Sequence, residues 1–377
     1  LTQTDLGGVS ENNASDSVVL SENDEVTVSN LTDLKNAING GGTIKLAKDI
    51  KISGLTGPLT LTDGTTLNLN GHTITIPSIT NDETDKTKSN FNRLVIGDGA
   101  TVTIENGTII YNAADSAQDK SPIKVGSNNA ATTNLPNSNL TLKNVNIRSA
   151  DYGVAVFSNA KVTLDNCNIL AASSAISTNG SPASDPNNSC SSEITINDGC
   201  YTSTTTAAIY FPGGAKLDVN GGTFTGKTGF DIRSGTVTID ENATINVLGS
   251  PDEKKTDDDG PTPWGMGIAV FNMNSYGQDT SGKSMEIIVT STAHIYNAYY
   301  DLYIGDYKIS SDNTFSKDAN RTYTPIHKCT VTLNNDKKCE ITDLSSTPEP
   351  SVVYTNGKRT DAVPITIDVN SRIFANG

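Results

Sequence analysis

The sequence predicts an all-β chain: a right-handed, single-stranded parallel β-helix of three-strand coils, with an α-helix capping its N-terminal end. Three observations predict it. A short alternation of apolar and polar residues, closed by Asn or Gly, recurs as TLNLNGHTI from Thr66, TVTIENGTI from Thr101, NLTLKNVNI from Asn139 and KVTLDNCNI from Lys161. It continues as EITINDGCY from Glu193, KLDVNGGTF from Lys216 and TVTIDENATI from Thr236. Second, the closest copies lie roughly 20 residues apart, the period of a solenoid in which no unit buries its apolar face alone. Third, 32 Gly, 14 Pro and only 18% charged residues suit a turn-rich β protein better than a helical one.

The elements follow in order. Residues 1–25 are polar, acidic and aperiodic, and are expected to form a flexible leader. The β-helix domain is expected over 26–377. It opens with a helix at 30–39: Asn30 or Thr32 caps it, Leu31, Leu34 and Ile38 share one face, and Gly40, Gly41 and Gly42 end it. Such an isolated amphipathic helix must cover something apolar, and the open end of a β-stack is the obvious client.

Each coil then carries three strands. In the first, two inward residues flank one outward residue, as in Val102/Ile104, Leu140/Leu142, Val162/Leu164, Ile194/Ile196, Leu217/Val219 and Val237/Ile239. The second strand, after a tight turn, contributes Ile74, Ile109, Ile147, Ile169, Tyr201 and Phe224. The third follows a small residue and contributes Val154/Val156, Ile176, Ile209/Phe211, Phe230/Ile232, Ile268/Val270 and Leu302/Ile304. A leucine-rich repeat would need a Leu-dominated consensus, which is absent. Insertions at 126–138, 178–192, 272–284 and 305–328 lengthen the return to the first strand, and those at 112–121 and 249–265 precede the third. Solenoids gather recognition on such a side.

Two columns stand out. Asn106, Asn144, Asn166 and Asp198 occupy equivalent turn positions, and at the ~4.8 Å spacing of neighbouring strands they predict a structural polar ladder. Ca²⁺ coordination by Asp198 and the Asn-Gly pairs is chemically conceivable but not indicated, because the acidic nonapeptide of calcium-binding β-rolls is missing. No metal site and no cofactor are expected. Outward Thr103, Thr141, Thr163, Thr195 and Thr238, interrupted by Asp218, predict a threonine ladder, which Lys161, Glu193, Lys143 and Asp165 flank too unevenly for an ice-like lattice.

Charge narrows the partners. With 27 basic against 42 acidic residues the net charge is −15, which disfavours nucleic acid and polyanionic glycans. No apolar run approaches the roughly 18–20 residues that cross a membrane. The start at Leu1 rather than Met is read as a removed signal peptide, and the chain is expected to be secreted or at a cell surface. The five cysteines (167, 190, 200, 329 and 339) form neither a disulfide framework nor a zinc motif. Cys329 and Cys339 flank one strand and are close enough in sequence to pair, and Cys190 has Cys167 and Cys200 as potential partners. The Asp257–Asp259 run reads as a solvated loop. His72, His294 and His327 stand too far apart to suggest a cluster.

The candidate binding residues are aromatic: Tyr210, Trp264, Tyr299, Tyr300 and Tyr303, with Tyr303 and Tyr210 pointing outward between inward neighbours. Exposed aromatic faces stack on sugar rings.

The helix at 30–39 followed by GGTIKLAKDIKISG, and the TLNLNGHTI and TVTIENGTI coils, resemble the pectin-lyase-like parallel β-helix superfamily. The chain is also similar to β-helix modules of bacterial surface proteins. That resemblance implies fold more than activity. The superfamily's glycosidases carry paired Asp motifs with a His-Gly and an Arg-x-Lys, since one carboxylic acid must protonate the leaving oxygen while another carboxylate activates water. Here the first strand's outward column holds Thr apart from Asp218, and neither dipeptide pattern occurs. The lyases pair Ca²⁺-binding carboxylates with a basic residue. Asp151 near Arg148, and Asp231 beside Arg233, are the nearest approach, and no catalytic residue is assigned. The expectation is a non-catalytic, adhesin-like module that binds a glycan or a host or cell-surface ligand. The alternatives are a diverged polysaccharide lyase or glycoside hydrolase, and a structural spacer of a larger surface protein.

Overall fold

The computed structural model describes residues 25–55, 57–77, 94–112, 121–126, 137–178, 192–213, 216–233, 235–250, 264–271, 273–274, 285–298 and 300–305. It also describes strand segments at 323–324, 326–333, 337–342, 352–354 and 365–367. The leader lies outside these residues apart from Glu25, as do most of the expected insertions.

Short strands stack in parallel into three columns, consistent with a parallel β-helix. The first stack runs through Glu25–Val28, Thr43–Leu46, Thr66–Asn68, the leading halves of Thr101–Tyr111 and Ser138–Ser149, then Ala160–Asp165, Glu193–Ile196, Lys216–Val219, Thr236–Ile239, Met285–Ser291 and Ile326–Leu333. The second takes Ile50–Lys51, Thr73–Ile76, the trailing halves of the two long strands, Cys167–Ala171, Gly199–Ser203, Gly222–Gly226, Ala243–Val247 and His294–Tyr296. Because the two long strands bridge them, these stacks, with Lys337–Thr342 and Ile365–Ile367, form one 20-stranded sheet. The third stack is a separate sheet that runs from Leu59–Leu61 through Leu94–Ile96, Ile123–Val125, Val154–Val156, Ile176–Thr178, Ala207–Phe211, Thr228–Ile232 and Met266–Phe271 to Tyr300–Gly305, with antiparallel Val352–Tyr354 as its tenth strand.

Inward positions are as the alternation requires. The pairs Val102/Ile104 through Val237/Ile239, the second-strand set from Ile74 to Phe224, and the third-strand residues from Val154 to Leu302 are all 2% exposed or less. Aromatic side chains pack both between and within coils: Tyr201 stacks on Phe224 of the next coil at 5.1 Å, and Phe224 meets Phe230 of its own coil at 4.9 Å. The small residue before the third strand has a steric cause. A Cβ on Gly153 would stand 2.3 Å from the Ala175 carbonyl oxygen and 2.4 Å from Ile169 Cγ2.

The helix Leu31–Ile38 is capped by Asn30, whose Oδ1 accepts from the Asp33 N–H at 2.9 Å. Leu34, Ala37 and Ile38 enter the core against Glu25–Val28, Thr43–Leu46 and Leu59–Leu61, and Thr62 Oγ1 donates to the Ile38 carbonyl at 2.8 Å. A strand, Glu25–Val28, precedes this helix; its four residues adjoin the acidic leader and carry no repeat.

The turn between first and second strands corrects the expected ladder. Asn106, Asn144 and Asn166 adopt φ of 59°, 52° and 49°, a left-handed bend that Asn tolerates better than other side-chain-bearing residues. Asn144 Nδ2 donates to Asn106 Oδ1 at 3.3 Å, and Asn166 Nδ2 to Asn144 Oδ1 at 2.9 Å. Asp198 does not continue the series. Every rung donates toward the N-terminal end, and a carboxylate has no N–H to donate. At that coil the positive φ moves one residue on, to Gly199 (126°) and then Gly222 (104°). The polar rung correspondingly moves one residue back: Asn197 donates to Asp165, and Asn220 Nδ2 to Asn197 Oδ1 at 2.8 Å.

Late in the chain the pairing changes sense. Ile326–Leu333 pairs antiparallel with Lys337–Thr342, and Tyr300–Gly305 with Val352–Tyr354. The register sets Val331 opposite Cys339 and Ile341 opposite Cys329, so the two cysteines are not cross-strand partners. Cys167 is a buried free thiol and Cys200 an exposed one; Cys190 lies outside the described residues. Burial pushes the Cys167 thiol up to about 11.

Candidate functional site

Two outward faces can be compared. On the first stack, Thr43, Thr66, Thr103, Thr141, Thr163, Thr195, Asp218, Thr238, Thr290 and Thr332 follow one another in register. Ion pairs flank this ladder, Lys161–Glu193 at 3.2 Å and Lys216–Asp218 at 2.6 Å, and the hydrogen bond from Lys216 to Asp218 raises that ammonium's pKa. These groups are solvated and mutually paired, the ordinary condition of an exposed sheet face.

The third stack differs. Its outward column reads Thr60, Val95, Lys124, Ala155, Ser177, Tyr210, Asp231, Ala269 and Tyr303. Thr60 is exposed, but Ala155, Ser177, Asp231, Ala269 and Tyr303 are all buried, although they point away from the core. This is the one sheet face, among the described residues, where an outward column is covered along several consecutive coils.

Its centre is a three-residue unit. Arg233 Nε donates to Asp231 Oδ1 at 2.9 Å and Nη2 to Oδ2 at 2.8 Å, a bidentate pair with Asp231 and Arg233 only 6% and 5% exposed. The guanidinium lies 4.7 Å from the Tyr210 ring centroid on the neighbouring coil. The strand alternation generates this arrangement: Asp231 and Arg233, two apart, leave the sheet on the same side, and Tyr210 is in register with Asp231. Toward the N-terminal end the motif recurs, with Lys124 Nζ 4.7 Å from the Phe157 ring centroid. Small Ala155 and Ser177 separate the two cation–aromatic pairs.

The expected aromatics are placed as follows. Tyr210 is partly covered and carries Arg233 on its ring. Tyr303 does lie on the outward column, yet it is 4% exposed. Trp264 is 7% exposed and packs by Gly249, where an added Cβ would approach Trp264 Cβ to 2.7 Å. Tyr300 opens its strand in register with Met266, and Tyr299 lies outside the described residues. The column thus carries Tyr210 and Tyr303 three coils apart, and Trp264 lies two residues before the strand Met266–Phe271. Lys124, Phe157 and Ser177 were not anticipated. The signal for Lys124 was its place between inward Ile123 and Val125.

As chemistry, the unit is closed. Both oxygens of Asp231 accept from Arg233, a bidentate charge-assisted pair. Among the described residues Asp231 is the sole acid in the outward column. Asp301, in register with Gly267, is 9% exposed nearby. Arg148 and Asp151 do not form a comparable pair: Arg148 stands opposite Ile110 and Leu170 on the second stack, while Asp151 accepts from Ser173 Oγ at 2.7 Å. Among the described residues no group of three or more His, Cys, Asp or Glu side chains is placed to hold a metal ion, and no helix is long and apolar enough to cross a membrane.

No protein-family model, no curated protein and no solved structure matches this chain.

Proposed function

We propose that this chain is a non-catalytic, extracellular β-helix module of the pectin-lyase-like kind. It contacts a glycan or a host or cell-surface ligand with the outer face of its third strand stack. The observation that carries this reading is Tyr210, which is only partly covered on that face and is backed by the buried bidentate Asp231–Arg233 pair, so that an aromatic ring is held in place where a ligand can reach it. A right-handed winding belongs to the same proposal, because parallel strands joined by crossovers take that hand almost without exception. So does a capping role for Leu31–Ile38, supported by its apolar face in the core at the first coils.

A glycan array probed with the purified chain, together with a turnover assay on the same glycans, tests the proposal. Binding without new reducing ends or unsaturated products is the expected result. Product formation establishes the diverged lyase or hydrolase instead, and neither binding nor turnover leaves a structural spacer.

A further inference from the structure

The described residues contain four Asn-Gly steps, at Asn39, Asn70, Asn106 and Asn220, and they are not equivalent. An Asn-Gly step loses ammonia when the glycine N attacks the asparagine Cγ. The N–Cγ bond forms, the Cγ–Nδ2 bond breaks, and water then opens the succinimide to aspartate or isoaspartate. The attack needs a glycine N–H that is not tied up and an amide oxygen that is not held in place.

Three of the four steps are restrained. The Gly40 N–H donates to the Ala37 carbonyl at 3.0 Å, and the Gly71 N–H to the Asn106 carbonyl at 2.6 Å. Asn106 Oδ1 accepts from Asn144 Nδ2, which fixes the side chain in its ladder. Asn220 differs on both counts. It is exposed, and the Gly221 N–H makes no hydrogen bond among the described residues. Asn220 Nδ2 donates back to Asn197, but the rung that follows it is Asp240, one residue beyond the Val219–Ile239 register pair. A carboxylate has no proton to give the Asn220 amide oxygen. The ladder Asp165–Asn197–Asn220 therefore ends in an amide held through Nδ2 alone, its oxygen accepting from no neighbouring rung.

We infer that Asn220 is a site of spontaneous deamidation, set by the open end of this ladder. Conversion replaces the last donor with a carboxylate beside Asn197 Oδ1 and Asp240, so the modification removes the rung that made it accessible and loosens the turn into Gly222–Gly226.

The full chain aged at neutral pH and mapped by peptide mass spectrometry tests the inference. Conversion at Asn220 ahead of Asn39, Asn70 and Asn106 is expected; conversion of any of those three first overturns it. The Asp240→Asn variant supplies the missing donor and should slow Asn220 several-fold while the other three steps keep their rates. An unchanged Asn220 rate, in a variant whose circular dichroism matches the parent, overturns the role of the ladder.

Discussion

Replacing Arg233 with Ala should open the third stack locally, and the size of the effect follows from its surroundings. Arg233 and Asp231 are 5% and 6% exposed, so truncation leaves a buried carboxylate with both charge-assisted hydrogen bonds gone. Breaking a buried pair this way costs about 3–5 kcal/mol, against at most ~1 kcal/mol for an exposed surface pair. Part of the loss is the contact with Tyr210, which does not add independently because the three groups share one network. Long repeat arrays lose two-state cooperativity, so a local reporter serves better than a global melt. Amide hydrogen exchange across Phe211–Arg233 is suitable, since the Arg233 N–H bonds the Phe211 carbonyl at 3.0 Å. A loss of ~3 kcal/mol raises local opening about a hundredfold or more. Adding Asp231→Asn to Arg233→Ala removes the stranded charge and should recover much of that protection. The reasoning is refuted if Arg233→Ala changes exchange by less than about tenfold, or if Asp231→Asn worsens it further.

Other sites give independent checks. Asn144→Ala should lose about 1–2 kcal/mol more than Asn144→Gly, because both break the ladder but only Ala is strained at φ 52°; equal losses in thermal melts would contradict this. The Cys167 thiol ionises less readily folded than unfolded, so its contribution is complete below pH 9 and is lost as pH rises toward 11, by about 3 kcal/mol in all. Stability measured across that window should fall more steeply in the parent than in Cys167→Ala, and parallel slopes would count against the buried assignment. Gly153→Ala drives a Cβ toward Ala175 O and Ile169 Cγ2 and should cost about 1–3 kcal/mol, readable as a lowered denaturation midpoint.

Much of the fold was legible because a period of two depends on nearest neighbours alone. Val102/Ile104 and their equivalents could be assigned inward from the alternation, and Tyr210 and Tyr303 outward by the same rule. The rule states which side of a sheet a residue leaves from, not what lies over it, so the burial of Tyr303, Ala155 and Ser177 was not readable. Asp231 and Arg233 could be paired by spacing, but their desolvation could not. Asp198 was misplaced for a different reason. Side chains of similar shape look interchangeable in a repeat, while a directional ladder distinguishes a group that donates from one that only accepts. The shift of positive φ to Gly199 was written in the sequence as a displaced glycine, and only the hydrogen-bond direction gives that displacement its meaning.

Affinity for the strongest ligand on the array, compared among the parent, Tyr210→Ala and Tyr296→Ala, tests the placement of the binding face most directly. Tyr210 is partly covered on the third-stack column with Arg233 against its ring, whereas Tyr296 is 52% exposed on the second stack. The account predicts about a tenfold weaker Kd for Tyr210→Ala, roughly 1.4 kcal/mol, with Tyr296→Ala unchanged. Loss of binding at Tyr296 with Tyr210→Ala unaffected would put the ligand on the other face and contradict it.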